Sequence, residues 1–272
     1  MKWNIEYITF NQQQVAVQTH TPDIQASIAR RFRAMLTPRP TQVLTHLTVK
    51  QPDTSYRLER PFPQTDILTD SADDMVQKLE HEIAVQFIRA HTALCWFHAG
   101  AVARHDAALL LVGDWGHGKS TLVTNLVAQG WLYLSDDIAP VDMRTRQVLP
   151  YPQTPRVRQQ TATLLPREQV PHLPRRDIDL PLAAVSQTAV SIRAIIFPTY
   201  KPGFSPSLTP LSPAQATLSL SQQCLNIERH KATAVSQFIR LTSAVPLFRL
   251  TYHRGQEAAN LLSEAQLTTL EF

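Results

Sequence analysis

Glycine is scarce in this chain. Seven glycines in 272 residues is about a third of the roughly 7% share usual in globular proteins, which excludes collagen-like and flexible low-complexity architectures. Cysteine is nearly absent: Cys95 and Cys224 are the only two, too few for a disulfide framework. Long apolar runs are missing as well. The longest, 107–112, falls far short of the roughly 20 residues a membrane-spanning helix needs. No apolar stretch near Met1 reads as a secretory signal, so a cytoplasmic location and no membrane partner are expected. Lysine is rare, six of the 26 basic residues. The formal charge of +4 comes with no basic stripe interleaved with aromatics, so no nucleic-acid partner is expected. What is present is a chain 43% hydrophobic and 18% charged, able to bury a full core.

The few glycines are not scattered. Gly100, Gly113, Gly116, Gly118 and Gly130 fall within 31 consecutive residues. A chain that avoids glycine elsewhere needs here a backbone that other residues do not supply, through positive φ or close approach to a ligand.

Around that stretch the patterning predicts an α/β chain. Residues 1–68 read as a β-rich N-terminal region, with strands over 3–8 and 43–49 and a short helix over 23–35 between them. A second domain is expected over 69–272. Its first helix starts at Ser71, where Asp74 suggests a capping box, and carries Met75, Leu79, Ile83 and Phe87 at i+4 spacing. Strands over 96–103 and 108–112 follow, joined at Arg104-His105-Asp106; the second is almost wholly apolar and reads as a central strand. Further on, the pattern predicts a strand over 191–197, a helix opened by Ser212-Pro213, a helix over 232–241, a strand over 247–252 and a closing helix over 256–264. Between them, 140–181 holds eight of the 20 prolines, and 143–181 has many arginines and few acids. It reads as an irregular, exposed, mobile segment placed to face a substrate.

Gly113-Asp114-Trp115-Gly116-His117-Gly118-Lys119-Ser120 matches the phosphate-binding pattern G-x-x-x-x-G-K-[ST]. Backbone N–H groups of such a loop point inward at phosphates, and the helix that follows aims its positive end at the same anion. Lys119 is expected to reach the β/γ-phosphates of ATP, and the Ser120 hydroxyl to ligate Mg²⁺. Gly113, Asp114, Trp115, Gly116, His117, Gly118, Lys119, Ser120 and Thr121 form the expected nucleotide site. Trp115 is large for its place and would either stack on a base or cover the site. The setting fits, with an apolar strand before the loop and an amphipathic helix from Leu122 to Val127 after it, closed by Gly130. The next strand, 131–135, runs into Asp136-Asp137, only 17 residues beyond Lys119. Two adjacent carboxylates can divide two tasks, one holding Mg²⁺ and one taking a proton from an attacking hydroxyl.

The three blocks FHAGAVA (97–103), LLLVGDWGHGKSTL (109–122) and GWLYLSDDIAPVD (130–142) together resemble the HPr kinase/phosphorylase superfamily. The likeness covers about 46 residues in order and spacing. It implies a P-loop kinase core with a mixed β-sheet like that of the phosphoenolpyruvate carboxykinases. It also implies ATP- and Mg²⁺-dependent phosphorylation of a serine hydroxyl. By the same resemblance Asp136 acts as base, Asp137 and Ser120 hold the metal, and His98 sits by the transferring phosphate beside Lys119; adjacency leaves a swap of the two aspartates open. The family's second, glycine-rich signature is absent, because no glycine lies between 131 and 202. The chain is thus similar to diverged members that phosphorylate a serine on a precursor peptide, as in lasso-peptide pathways. The expected substrate is a peptide or small protein carrying a serine, and self-association into a homo-oligomer is left open. The alternatives are a kinase of free serine or another small hydroxyl compound, and a non-enzymatic ATP-sensing module. Leu218-Ser219-Leu220-Ser221-Gln222-Gln223 is superficially like an ABC-transporter signature but lacks its glycines, so no role is expected there.

Overall fold

In the computed structural model, which describes residues 3–61, 63–158, 175–265 and 267, the chain divides into two compact units, Met1–Thr92 and Ala93–Phe272. In the first, β1 (Asn4–Phe10) and β2 (Gln13–Thr19) form an antiparallel hairpin. Its two-residue turn, Asn11-Gln12, has both residues at positive φ, the turn whose twist suits a tight hairpin. Helix α1 (Pro22–Arg31) carries the chain across to β3 (Leu36–Thr37) and then β4 (Gln42–Lys50), which lies parallel to β2. With β5 (Tyr56–Glu59) and β6 (Ile67–Thr69) the sheet order is β3-β1-β2-β4-β5-β6.

Helix α2 (Ala72–Ala90) is capped by the Ser71 side chain, which accepts from the Asp74 N–H, and buries Met75, Leu79, Ile83 and Phe87 as the i+4 pattern predicts. That face packs on α1, β5 and β6. The helix completes this unit, so the division falls after Thr92 and not after residue 68. The N-terminal region is more than β-rich, because its sheet needs an apolar helix to cover it.

The second unit opens on β7 (Cys95–Arg104) and β8 (Ala107–Val112), an antiparallel hairpin turned at His105-Asp106, again with both turn residues at positive φ. Helix α3 (Lys119–Ala128) leads to β9 (Leu132–Ser135), β10 (Ile138–Asp142), β11 (Gln147–Val148) and an antiparallel ribbon of β12 (Arg156–Arg158) and β13 (Arg175–Asp177). Strands β14 (Val190–Tyr200) and β15 (Ser207–Pro210), helices α4 (Pro213–Gln223) and α5 (Ile227–Thr242), strand β16 (Leu247–Tyr252) and helix α6 (Gly255–Glu264) complete it. The sheet order is β11-β10-β7-β8-β14-β16-β15, with β9 also on β7. Strands β8, β14 and β16 are mutually parallel, whereas β7 and β15 run antiparallel to their neighbours. The fold class is mixed α/β.

Every residue of β8 is buried, as a central strand covered on both faces requires. Ala216 and Leu220 of α4 and Ala234, Phe238 and Leu241 of α5 join Cys95, Phe97, Ala99 and Val112 in one core cluster. Helix α3 packs where Gly100 leaves room for it, since a Cβ there would lie 2.7 Å from Val123 Cγ2. Both cysteines are free and buried; a hydrogen bond to Cys224 and burial push the Cys95 thiol well above its ordinary range.

Local details refine two expected helices and correct one expected segment. Helix α4 has the full capping box, Ser212 with Gln215. Helix α5 is interrupted at Lys231 (φ 47°), so its regular part begins near the expected residue 232. The segment expected to be wholly irregular carries β11, β12 and β13, and it buries Val148 and Tyr151. Its centre, 159–174, lies outside the described residues. Among the described residues, no helix is long and apolar enough to cross a membrane.

Candidate functional site

The carboxyl end of a parallel strand is where an open α/β sheet offers a ligand crevice, and β8 delivers its chain there directly into the loop 113–120. Gly116 (φ +86°) and Gly118 (φ +80°) take left-handed conformations. Gly118 is also the N-cap of α3, its carbonyl accepting from Leu122 N at 2.9 Å. The last residue of β16 closes on the same point. The Tyr252 hydroxyl donates to the His117 carbonyl at 2.9 Å, and a Cβ at position 118 would lie 2.1 Å from that hydroxyl. Burial, with the Tyr200 charge adding to it, pushes the Tyr252 phenol well above its ordinary range, which keeps it protonated as the donor.

Lys119, buried at the start of α3, turns its ammonium into the loop. Nζ donates to the carbonyls of Gly113 at 2.6 Å and Asp114 at 3.1 Å. On its far side stands His98 of β7, with Nε2 3.3 Å from Nζ. The same Nε2 lies 2.9 Å from Asp137 Oδ1, on a carboxylate whose side chain is 55% exposed. Trp115 places its ring 5.6 Å from the His98 ring, which puts the indole beside the site. Ser120 and Thr121 sit in the first turn of α3.

The two aspartates are separated by the way the strand breaks. Strands β9 and β10 follow one another along the same edge of β7, pairing with 101–103 and then 95–98. Asp136-Asp137 forms the irregularity between them, anchored by Ala99 N donating to the Asp137 carbonyl at 3.2 Å and by the Ser135 hydroxyl donating to the Ile138 carbonyl. The strand was expected to end at this pair; it resumes at once. The bend at this pair sends the two side chains to different neighbours. Asp137 meets His98, while Asp136 is buried, 8% exposed, and its Oδ2 accepts from Arg156 N at 3.2 Å. Of the pair, Asp137 is the carboxylate at His98, whose Nε2 in turn stands 3.3 Å from Lys119 Nζ.

The fold places two further residues. His105 sits at the β7–β8 turn, the opposite end of β8 from the loop that holds His117. Gln223, in the segment expected to carry no role, reaches the site from the end of α4: its Oε1 is 3.3 Å from His98 Nδ1 and its Nε2 donates to Asp114 Oδ1 at 2.6 Å. Only tertiary structure brings it there, since 109 residues separate it from Asp114.

The chain matches no family model and no curated protein sequence. Among solved structures it is similar to the HPr(Ser) kinase/phosphatase from Coxiella burnetii, at 15% identity and a TM-score of 0.32, over 63% of this chain and 96% of that one. A likeness of that size carries no functional argument.

Proposed function

We propose that this protein is an ATP-dependent phosphotransferase that moves the γ-phosphoryl group of ATP to a serine hydroxyl of a peptide or small protein. The observation that carries the reading is one row of groups at the mouth of loop 113–120: Lys119 Nζ, His98 Nε2 at 3.3 Å and Asp137 Oδ1 a further 2.9 Å on. A cation inside a loop with two left-handed glycines and a helix N-terminus suits a polyphosphate. A proton acceptor beside that cation suits attack by a hydroxyl on the phosphate the cation holds.

The residues present fit the nucleotide and its ion. Ser120, with the phosphate oxygens of ATP itself, would hold Mg²⁺, which supplies neutralisation of charge on the β/γ-phosphates. Lys119 would orient the γ-phosphate. The serine oxygen forms its bond to phosphorus as the bond from phosphorus to the β,γ-bridging oxygen breaks, ADP carries off that electron pair, and the hydroxyl proton passes to the Asp137–His98 pair. Asp137 serves as base and His98 supports it, so the base is assigned to the aspartate that faces the loop. Asp136 fixes the start of the β12–β13 ribbon through Arg156. The choice of a peptide acceptor draws on the resemblance of the three sequence blocks and on the basic flanks of the 143–181 segment.

Calorimetric titration with a non-hydrolysable ATP analogue tests the first half of this reading. Binding that is lost in a folded Lys119→Ala variant supports it, and unchanged affinity overturns it. Mass detection of phosphoserine on supplied peptides tests the second half. Tight ATP binding without transfer to any peptide, protein or free serine would make the protein a nucleotide sensor.

A further inference from the structure

We infer that Gln223 is a positioning residue that sets which ring nitrogen of His98 carries its fixed proton, an inference that rests on the phosphotransferase reading for its catalytic consequence but not for its chemistry. The chain of contacts begins in the loop. The Asp114 carboxylate only accepts hydrogen bonds, so the Gln223 atom 2.6 Å from its Oδ1 is the amide nitrogen. That fixes the amide, and its oxygen must be the atom 3.3 Å from His98 Nδ1. An amide oxygen also only accepts. His98 Nδ1 therefore carries hydrogen whatever the charge on the ring.

The consequence falls on the other nitrogen. Which imidazole nitrogen is protonated is set by the hydrogen bond that the other one makes. With Nδ1 committed, the exchangeable position is Nε2, and Nε2 stands between a donor and an acceptor: Lys119 Nζ at 3.3 Å and Asp137 Oδ1 at 2.9 Å. Without a proton it accepts from Lys119; with one it donates to Asp137. The exchangeable proton thus sits on the side of the ring that faces the loop and the base. If Gln223 were removed, Asp137 would draw the single proton of the neutral ring onto Nε2, and the ring could no longer accept one there. Because the clamp is closed by Asp114, a residue of the loop itself, the loop conformation and the state of His98 are tied together by one side chain of α4.

The direct test is the nitrogen spectrum of the His98 ring in protein with labelled imidazoles, assigned by its loss in His98→Asn. Three variants are compared with the wild type: Gln223→Leu, Asp114→Asn, and the double variant Asp114→Asn with Gln223→Glu. The neutral ring of the wild type is expected to carry hydrogen on Nδ1, and Gln223→Leu to move it to Nε2. Asp114→Asn retains an oxygen acceptor for the amide and keeps the Nδ1 form. The double variant reverses the polarity of the clamp, its new carboxylate accepting both from the new amide at 114 and from His98 Nδ1, and it too keeps the Nδ1 form, which a merely structural role for Gln223 does not predict. Phosphoryl transfer by Gln223→Leu should fall roughly 10²-fold in kcat, the scale of impaired acid–base catalysis. Hydrogen that stays on Nδ1 in Gln223→Leu, or a wild-type neutral ring protonated at Nε2, overturns the inference. A proton that moves as described, in a protein that phosphorylates nothing, leaves the inference standing and removes the proposed activity.

Discussion

Gly118→Ala is the sharpest perturbation the loop offers, because two independent penalties meet at one atom. The residue sits at φ +80°, and holding an alanine in a left-handed conformation costs about 1–2 kcal/mol. The added Cβ would also lie 2.1 Å from the Tyr252 hydroxyl and 3.2 Å from Cζ. Tyr252 is packed against β14 and the loop and is only 1% exposed, so the ring cannot swing into solvent. It must shift enough to give up its hydrogen bond to the His117 carbonyl, and leaving that buried pair unmade costs about 1–3 kcal/mol. The total is about 2–5 kcal/mol. The two terms separate in a double-mutant cycle. Tyr252→Phe removes the clashing hydroxyl and leaves only the milder approach to Cζ, so in that background Gly118→Ala should cost little beyond the conformational part, with a coupling of about 1–3 kcal/mol between the sites. Denaturant unfolding of the four proteins, followed by a signal from the second unit, supplies the free energies. Strictly additive losses, or a Gly118→Ala protein as stable as the wild type, would refute the argument that β16 supports the loop through this contact.

Other outcomes follow from the same geometry. Gly100→Ala should destabilise by about 1–3 kcal/mol through overpacking, since its Cβ would lie 2.7 Å from Val123 Cγ2, and Val123→Ala should recover most of the loss in thermal melts; an indifferent Gly100→Ala protein contradicts the close β7–α3 approach. The raised Tyr252 phenol holds its proton when the unfolded chain begins to release its own near 10.0, so its contribution to stability is intact below that pH and is lost as pH rises further. Tyr252→Phe should accordingly show a shallower fall in denaturant midpoint above about pH 10, and a parallel fall in both proteins counts against it. Asp136→Ala should lose about 1–3 kcal/mol of stability by abandoning the Arg156 N–H, yet retain most of the phosphoryl transfer that Asp137→Asn loses; the opposite ranking restores Asp136 as the base.

The parts of this molecule legible in the sequence are those fixed by local chemistry. The glycines at 116 and 118, the lysine and serine after them and the apolar strand before them announce a strand–loop–helix because few other residues tolerate that backbone. Ser212-Pro213 announces the start of α4 for the same kind of reason. Less legible were the elements decided by what packs on them. The periodicity of α2 shows that it buries one face but not that the face belongs to β5 and β6. Pro140 speaks against a strand, and the chain nevertheless resumes pairing with β7 there, with Pro140 opposite Trp96; its carbonyl still serves as acceptor for Leu149 N. The choice between Asp136 and Asp137 turns on the break between β9 and β10, which no local pattern encodes. Gln223 was invisible, since a glutamine at the end of a helix acquires meaning only from the histidine and aspartate the fold sets beside it.

The measurement that bears most directly on the central claim is transfer of labelled phosphate from ATP to serine-containing peptides by the wild type, Lys119→Ala and Asp137→Asn, with ATP affinity measured on each protein. The account predicts phosphoserine from the wild type, loss of ATP binding in Lys119→Ala, and in Asp137→Asn a fall in transfer of roughly 10²-fold or more with ATP affinity kept. Wild-type transfer by Asp137→Asn, or ATP bound by the wild type and passed to no hydroxyl at all, would contradict it.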